Sequence, residues 1–341
     1  MTDAPPLVQR HQQIALGLIA IALLVPIDAV LREPAGWLVL AVIIGVLGLP
    51  HGALDAPLGL VLGQQRWGRF GGLAVMLLYA LTVGGFVGLI VLAPAAALLL
   101  FLALAILHFG EQDAAAQGRP TDGLAILTTG STPIAGALLF WPESTLAMFA
   151  FLAGPVSHGL LDSVSLGLLG LWGLGFSLSM ARSLIGSPRS RAARWALLES
   201  LLVLLLFWRF HPLVAFTGYF CLLHAPRHVL DLARSRRPSA PLRELPWLGV
   251  LAFPATAITL AGAGLVYGFL VGGPHSPAGA PETAAITQTV FWTLAAVTPP
   301  HMALLAWARR DRPKPPDPKE ARIRRPLGAT RKRHETAIGA D

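Results

Sequence analysis

The chain is short of charge, has a single cysteine, and carries no lysine until its C-terminal end. Lys, Arg, Asp and Glu make up 13% of its 341 residues, against roughly 25% in an ordinary soluble domain. That shortage excludes a solvated globular surface along most of the length. The lone Cys221 excludes an internal disulfide. The first lysine is Lys314, so no lysine Schiff base can form within the apolar part. No strand-like alternation competes with the helical patterning, and no fixed-period repeat is present. The net charge of +8 does not point to nucleic acid, because eleven of the 26 Lys and Arg lie between Arg309 and Arg333. Residues 309–341 are rich in proline and poor in apolar side chains, and read as a basic, disordered cytoplasmic tail.

What is present is hydrophobic chain. Apolar residues account for 54% of the sequence, and the mean hydropathy is +0.63. Runs of about 17–25 apolar residues recur throughout, the length a bilayer-crossing helix needs. The expected fold is all-α: a polytopic transmembrane bundle over residues 1–308. About ten spans are expected, near 12–31, 36–62, 70–93, 95–112, 123–152, 158–181, 192–209, 212–230, 246–272 and 284–307. The first run lacks a small-residue cleavage site behind it and reads as a retained helix. "TTGSTP" (128–133) and "WPES" (141–144) are expected to break or kink the fifth span. Arginines cluster in the loops 63–69, 182–194 and 231–245. By the positive-inside tendency, these loops and both termini are expected on the cytoplasmic side of the cell membrane.

Within the run that opens at Gly36, "GLPHGALDA" (48–56) sets His51 and Asp55 one helical turn apart. Sorting the ten histidines by depth explains why this matters. His11 and His334 belong to cytoplasmic ends, His211 and His275 to outer loops, and His158 to the outer end of its span. His51, His108, His224, His228 and His301 fall inside apolar spans, at one depth on four helices. Ionisable side chains in a bilayer are costly and mark function by default, although interhelical hydrogen bonding is the competing reading. His224 and His228 stand at i, i+4 and project from one helix face. Imidazole-rich sites suit Fe, Zn, Cu or Ni. A carboxylate that accepts the other ring N–H orients such a ligand. Asp55 is the best candidate for that task, with Glu111 a second, whereas Asp113 and Asp231 read as carboxylates at helix ends. Cys221 reads as a small buried apolar residue.

"GLPHGALDA", "LHFGEQD" (107–113), "YFCLLHAPRH" (219–228) and "QTVFWTLAAVTPPHM" (288–302), in that order, resemble the Brp/Blh family of membrane β-carotene 15,15′-dioxygenases over roughly residues 40–308. The resemblance implies non-haem Fe(2+) held by His51, His108, His224 and His228, with His301 an additional ligand or a channel residue. It also implies β-carotene and O2 as substrates and retinal as the product. Phe101, Phe109, Trp208, Phe216, Tyr219, Phe220, Phe291 and Trp292 are candidates for a polyene tunnel. Pro226 departs from the family pattern. It is expected to distort the helix, swing His224 and His228 towards a common point, and turn Arg227 to the cytoplasmic interface. The alternative function is an intramembrane metal-ion or proton transporter using the same histidines. It would need a matching pair of interrupted helices, and none is evident. A zinc intramembrane protease would need H-E-x-x-H, which is absent.

Overall fold

The computed structural model describes residues 6–25, 34–116, 122–153, 158–185, 191–272 and 282–310. Among these residues every regular element is helical. The order is α1 (Pro6–Ala22), α2 (Pro34–Ile43), α3 (Leu49–Ala53), α4 (Asp55–Trp67), α5 (Gly71–Leu92), α6 (Pro94–Ala116), α7 (Gly123–Phe140) and α8 (Pro142–Ala153). There follow α9 (His158–Ile185), α10 (Arg191–Arg209), α11 (Pro212–Tyr219), α12 (Ala225–Arg236), α13 (Leu245–Gly272) and α14 (Glu282–Arg310). The chain divides into two units, Met1–Leu304 and Leu305–Asp341. The tail from residue 311, with His334, lies outside the described residues, as do the 26–31 end of the first expected span and His275.

Six runs among the described residues are long and apolar enough to cross a membrane, not ten. The first of them, Ala35–Leu92, holds two of the expected spans. It is far longer than one crossing requires, and it turns back at Gly68, the one described residue at positive φ (71°). Three further expected spans fall outside the six runs. The described part of the first, α1, is 17 residues long, α10 carries Arg191, Arg194, Glu199 and Arg209, and the 212–230 span is divided by the π turn at Phe220–His224. The fifth expected span does divide, but at Trp141–Pro142. "TTGSTP" stays inside α7, where Thr128, Ser131 and Thr132 hydroxyls donate to carbonyls four residues back. These bonds keep the polar side chains satisfied without a break.

Two rods widen into a π-helical turn, at Ile44–Gly48 between α2 and α3 and at Phe220–His224 between α11 and α12. Each turn ends two residues before a proline, Pro50 or Pro226. A proline cannot donate to the carbonyl four residues back and its ring clashes there. A π turn is one way to absorb both faults. The expected distortion at Pro226 therefore lies N-terminal to the proline, and it carries His224 at its end. Arg227 does not reach the interface: it is buried at 2% exposure and paired with Glu199 and Asp113. The reason is that two carboxylates already await it inside, which snorkelling to the surface would leave unpaired.

With lipid on the outside, helices associate by close packing rather than by expelling water. Glycine makes this possible at α6 and α7. A Cβ added at Gly110 would collide with the Ile126 carbonyl, and one at Gly130 with the Ile106 carbonyl. Backbone cannot move aside as a side-chain tip can. We expect Gly130→Ala to cost about 3 kcal/mol, the upper end for overpacking. Gly84→Ala, where an added Cβ meets nothing within 4 Å, is expected to be neutral or to gain up to about 1 kcal/mol from helix propensity. Melting temperatures of the two variants in detergent check the contrast.

Candidate metal centre

The five intramembrane histidines meet. His51 comes from α3, just past the first π turn, and His108 from α6. His224 ends the second π turn, His228 follows it on α12, and His301 lies on α14 directly after Pro299 and Pro300. The His51 ring lies 6.2 Å from His108, 5.6 Å from His224, 5.7 Å from His228 and 5.4 Å from His301, centroid to centroid. One nitrogen from each of His51, His108 and His301 lies within 4.8 Å of the others. His224 Nε2 is 3.1 Å from His108 Nε2. A buried group of imidazole nitrogens this close could hold a metal ion.

The second ring nitrogens of His51 and His301 are tied down, while that of His224 only approaches a carboxylate. His51 Nδ1 donates to the Gly48 carbonyl of the π turn. His301 Nδ1 lies 2.8 and 2.9 Å from the two Asp55 oxygens. His224 Nδ1 faces Asp113 Oδ1 at 3.4 Å. His228 Nδ1 is 3.2 Å from Gln112 Nε2. In His51 and His301 a proton is held at Nδ1 by an acceptor and Nε2 is left as a lone pair, which is the tautomer a metal ligand needs; at His228 the Gln112 amide instead donates to Nδ1. His301 Nε2 is buried and has no hydrogen-bond partner among the described residues. An orphaned buried acceptor of this kind calls for an explanation, and an ion between the rings supplies one. The donor set therefore fits a transition metal of the softer-nitrogen class.

The carboxylates sort differently from their sequence positions. Asp55 stands one turn from His51, yet it bonds His301, and Tyr79 donates to its Oδ2 at 3.1 Å. Asp113, expected at a helix end, is fully buried. It accepts from Tyr219 at 2.7 Å and forms an ion pair with Arg227 at 3.2 Å. Arg227 in turn forms a two-pronged pair with Glu199, which also accepts from Gln12 at 2.7 Å. Glu111 is half-buried on the same turn as Gln112 and Asp113. Asp231 is exposed and pairs with Arg234. Sequence reasoning passed over Gln112, Glu199, Gln12 and Tyr79, all polar residues inside apolar runs. It passed over Arg227 as a buried group too. The signal available was a charge or amide where none is needed for solubility. His211 caps α11, and α9 begins at His158, whose side chain lies outside the described residues.

The His51, His108 and His301 rings open onto a chamber of about 140 Å³. Its wall includes Phe101, Phe109, Phe216, Phe220 and Phe291. Tyr219 instead turns its hydroxyl to Asp113, Trp292 packs in a separate apolar cluster and Trp208 is 61% exposed. Gly48 makes the Phe220 position possible, because a Cβ there would occupy the Phe220 ring. The threonines of the wall, Thr145, Thr259 and Thr298, donate to carbonyls of their own helices or the preceding turn. The chamber is thus apolar apart from His51, His108 and His301.

Comparison with known proteins shows the family. Residues 42–309 match the family model described as "Beta-carotene 15,15'-dioxygenase". A protein of an uncultured marine bacterium, 66A03, named beta-carotene 15,15'-dioxygenase, is 30% identical over 271 residues, covering 79% of this chain and 92% of that protein. A Halobacterium salinarum protein named probable beta-carotene 15,15'-dioxygenase Blh is 29% identical over 330 residues, covering 87% and 92%. No solved structure matches. All five clustered histidines fall inside the matched range, and the chain belongs to the beta-carotene 15,15'-dioxygenase family.

Proposed function

We propose that the chain cleaves β-carotene at its central 15,15′ double bond with O2, at a ferrous ion held by the buried histidines, and releases two all-trans-retinal molecules. The carbon–carbon double bond breaks, and each new aldehyde takes one oxygen atom of the O2. The observation that carries this reading is the convergence of imidazoles on the wall of an otherwise apolar chamber. A hydrocarbon polyene dissolved in lipid suits such a wall, and a metal ion or proton in transit would find no polar path along it.

His51, His108, His224 and His228 are the ligands that the family motifs suggest. His301 joins them, on the strength of its orphaned Nε2. Iron is preferred over zinc because zinc has no redox chemistry. Bound there, ferrous iron would supply the electrons through which O2 becomes reactive towards the polyene. The chain's own residues orient and exclude. Asp55 holds the His301 ring, Asp113 faces that of His224, and the Gly48 carbonyl holds that of His51. Phe109, Phe216, Phe220 and Phe291 flank the polyene and keep water from the rings. We further infer ten crossings with both termini cytoplasmic. Here α2–α4, α7–α8 and α11–α12 each count as one crossing, and the arginine-rich loops 63–69, 182–194 and 231–245 face the cytoplasm, with single arginines (Arg32, Arg209) on the other side.

Expression in carotene-accumulating bacteria is expected to bleach the cells and yield retinal. Unbleached cells holding folded protein would sink the reading. Purified protein is expected to hold one equivalent of iron per chain by elemental analysis, roughly the single ion that one histidine cluster can bind. His51→Ala, His108→Ala, His224→Ala and His301→Ala are each expected to lose both iron and retinal formation, while His211→Ala keeps both. Stoichiometric zinc without iron-dependent activity would count against the assignment.

Asp55→Asn is expected to lower iron affinity or turnover about 10–100-fold, the usual loss when a ligand's orienting partner is removed. Iron titration and retinal formation measured together check it. Unchanged values for both would return Asp55 to a purely structural role.

A further inference from the structure

The chamber beside the histidines is small for the substrate proposed above. At about 140 Å³ it is in the class of a cavity that holds one benzene ring, about 150 Å³. β-Carotene is a C40 chain with a ring at each end. Cleavage at the central bond requires the middle of the molecule at the histidines and a complete half on either side. Most of the molecule must therefore lie outside this chamber.

A second apolar space adjoins it. A groove of about 650 Å³ runs between α2, α13 and α14, within the range of about 300–1,000 Å³ usual for ligand sites. It shares two wall residues with the chamber, Leu49 and Leu294. Leu49 stands two residues before His51. From this shared partition the chamber extends towards α7, α8 and α10, and the groove towards α2 and α13. Small residues make the room: Ala41, Gly45, Ala263 and Gly264 all line it. Its two threonines, Thr289 and Thr293, donate to the Ala285 and Thr289 carbonyls. Their hydroxyls are thereby engaged, and the groove offers a polyene no polar group from them. Leu38 and Val42 on its wall are 55% and 54% exposed, which opens it sideways to lipid, where a carotenoid resides.

We propose that this groove holds one terminal half of the carotenoid, and that the molecule enters laterally through it, past Leu49 and Leu294. The proposal rests on the cleavage reading for the identity of the ligand. Gly264 offers the test, because a Cβ added there meets nothing within 4 Å and a larger side chain would fill the groove rather than strain the helix. The full chain in detergent, wild type and Gly264→Trp, is titrated under argon with β-carotene. It is also titrated with an apocarotenal that keeps one complete half and lacks the terminal ring and outer polyene of the other. Binding is read from induced visible circular dichroism, and retinal formation is then measured in air.

Gly264→Trp is expected to raise the Kd for β-carotene about tenfold or more while changing that of the truncated ligand by about twofold at most, the discrimination an occupied apolar pocket gives. Equal effects on both ligands, or none on either, would overturn the proposal. So would unchanged carotenoid binding with loss of a co-purifying phospholipid, which would make the groove a lipid site. Ala263→Phe, on the same wall, repeats the test if the first variant does not fold. Wild-type protein that binds both ligands but forms no retinal in air would refute the cleavage reading, while the ratio of Kd values still decides the groove.

Discussion

An imidazole inside a bilayer has two nitrogens to satisfy and no water to satisfy them. The rest of this structure depends on how that constraint is met. Three rings have their Nδ1 turned to an acceptor: the Gly48 carbonyl, Asp55 and Asp113. Each acceptor then needs partners of its own. Asp55 takes Tyr79, and Asp113 takes Tyr219 and Arg227. Arg227 takes Glu199, and Glu199 takes Gln12. The requirement thus propagates from the histidine cluster through α6, α12 and α10 to α1. A buried charge stripped of its partner typically costs about 3–5 kcal/mol, so the chain of pairings also fixes these helices against one another.

The irregular backbone serves the same end. A straight helix would present His51 and His224 at angles set by its own pitch. The two π turns shift those angles, and the Gly48 carbonyl at the end of the first accepts from the His51 ring. Pro50 and Pro226 place the distortions. Gly48 then lets the Phe220 ring of the second turn lie against the first. One π turn therefore packs directly on the other, and the two histidine-bearing rods are registered by that contact.

Around the rings, polarity is removed with equal consistency. Threonines line both apolar spaces, yet the hydroxyls of Thr145, Thr259, Thr298, Thr289 and Thr293 all donate to backbone carbonyls. Such bonds satisfy a hydroxyl locally in the absence of water. The contrast between a polar cluster and an apolar wall is what suits the site to a hydrocarbon.

The sequence by itself determined the helical class, the membrane setting and the five histidines at one depth. Each of these is a matter of apolar run length and the cost of a buried ionisable group, which act along the chain. Pro226 likewise announced a distortion locally. Tertiary structure decided what no spacing encodes. Asp55 and His51 are one turn apart, but Asp55 bonds His301, 246 residues away. Asp113 looks like a helix-end carboxylate until Arg227 and Tyr219 are packed against it. Arg227 looks like an interfacial charge until Glu199 arrives from another helix. The distinction is physical: periodicity reports which face of a helix is polar, and only the crossing of helices reports which polar group on another chain segment that face will meet.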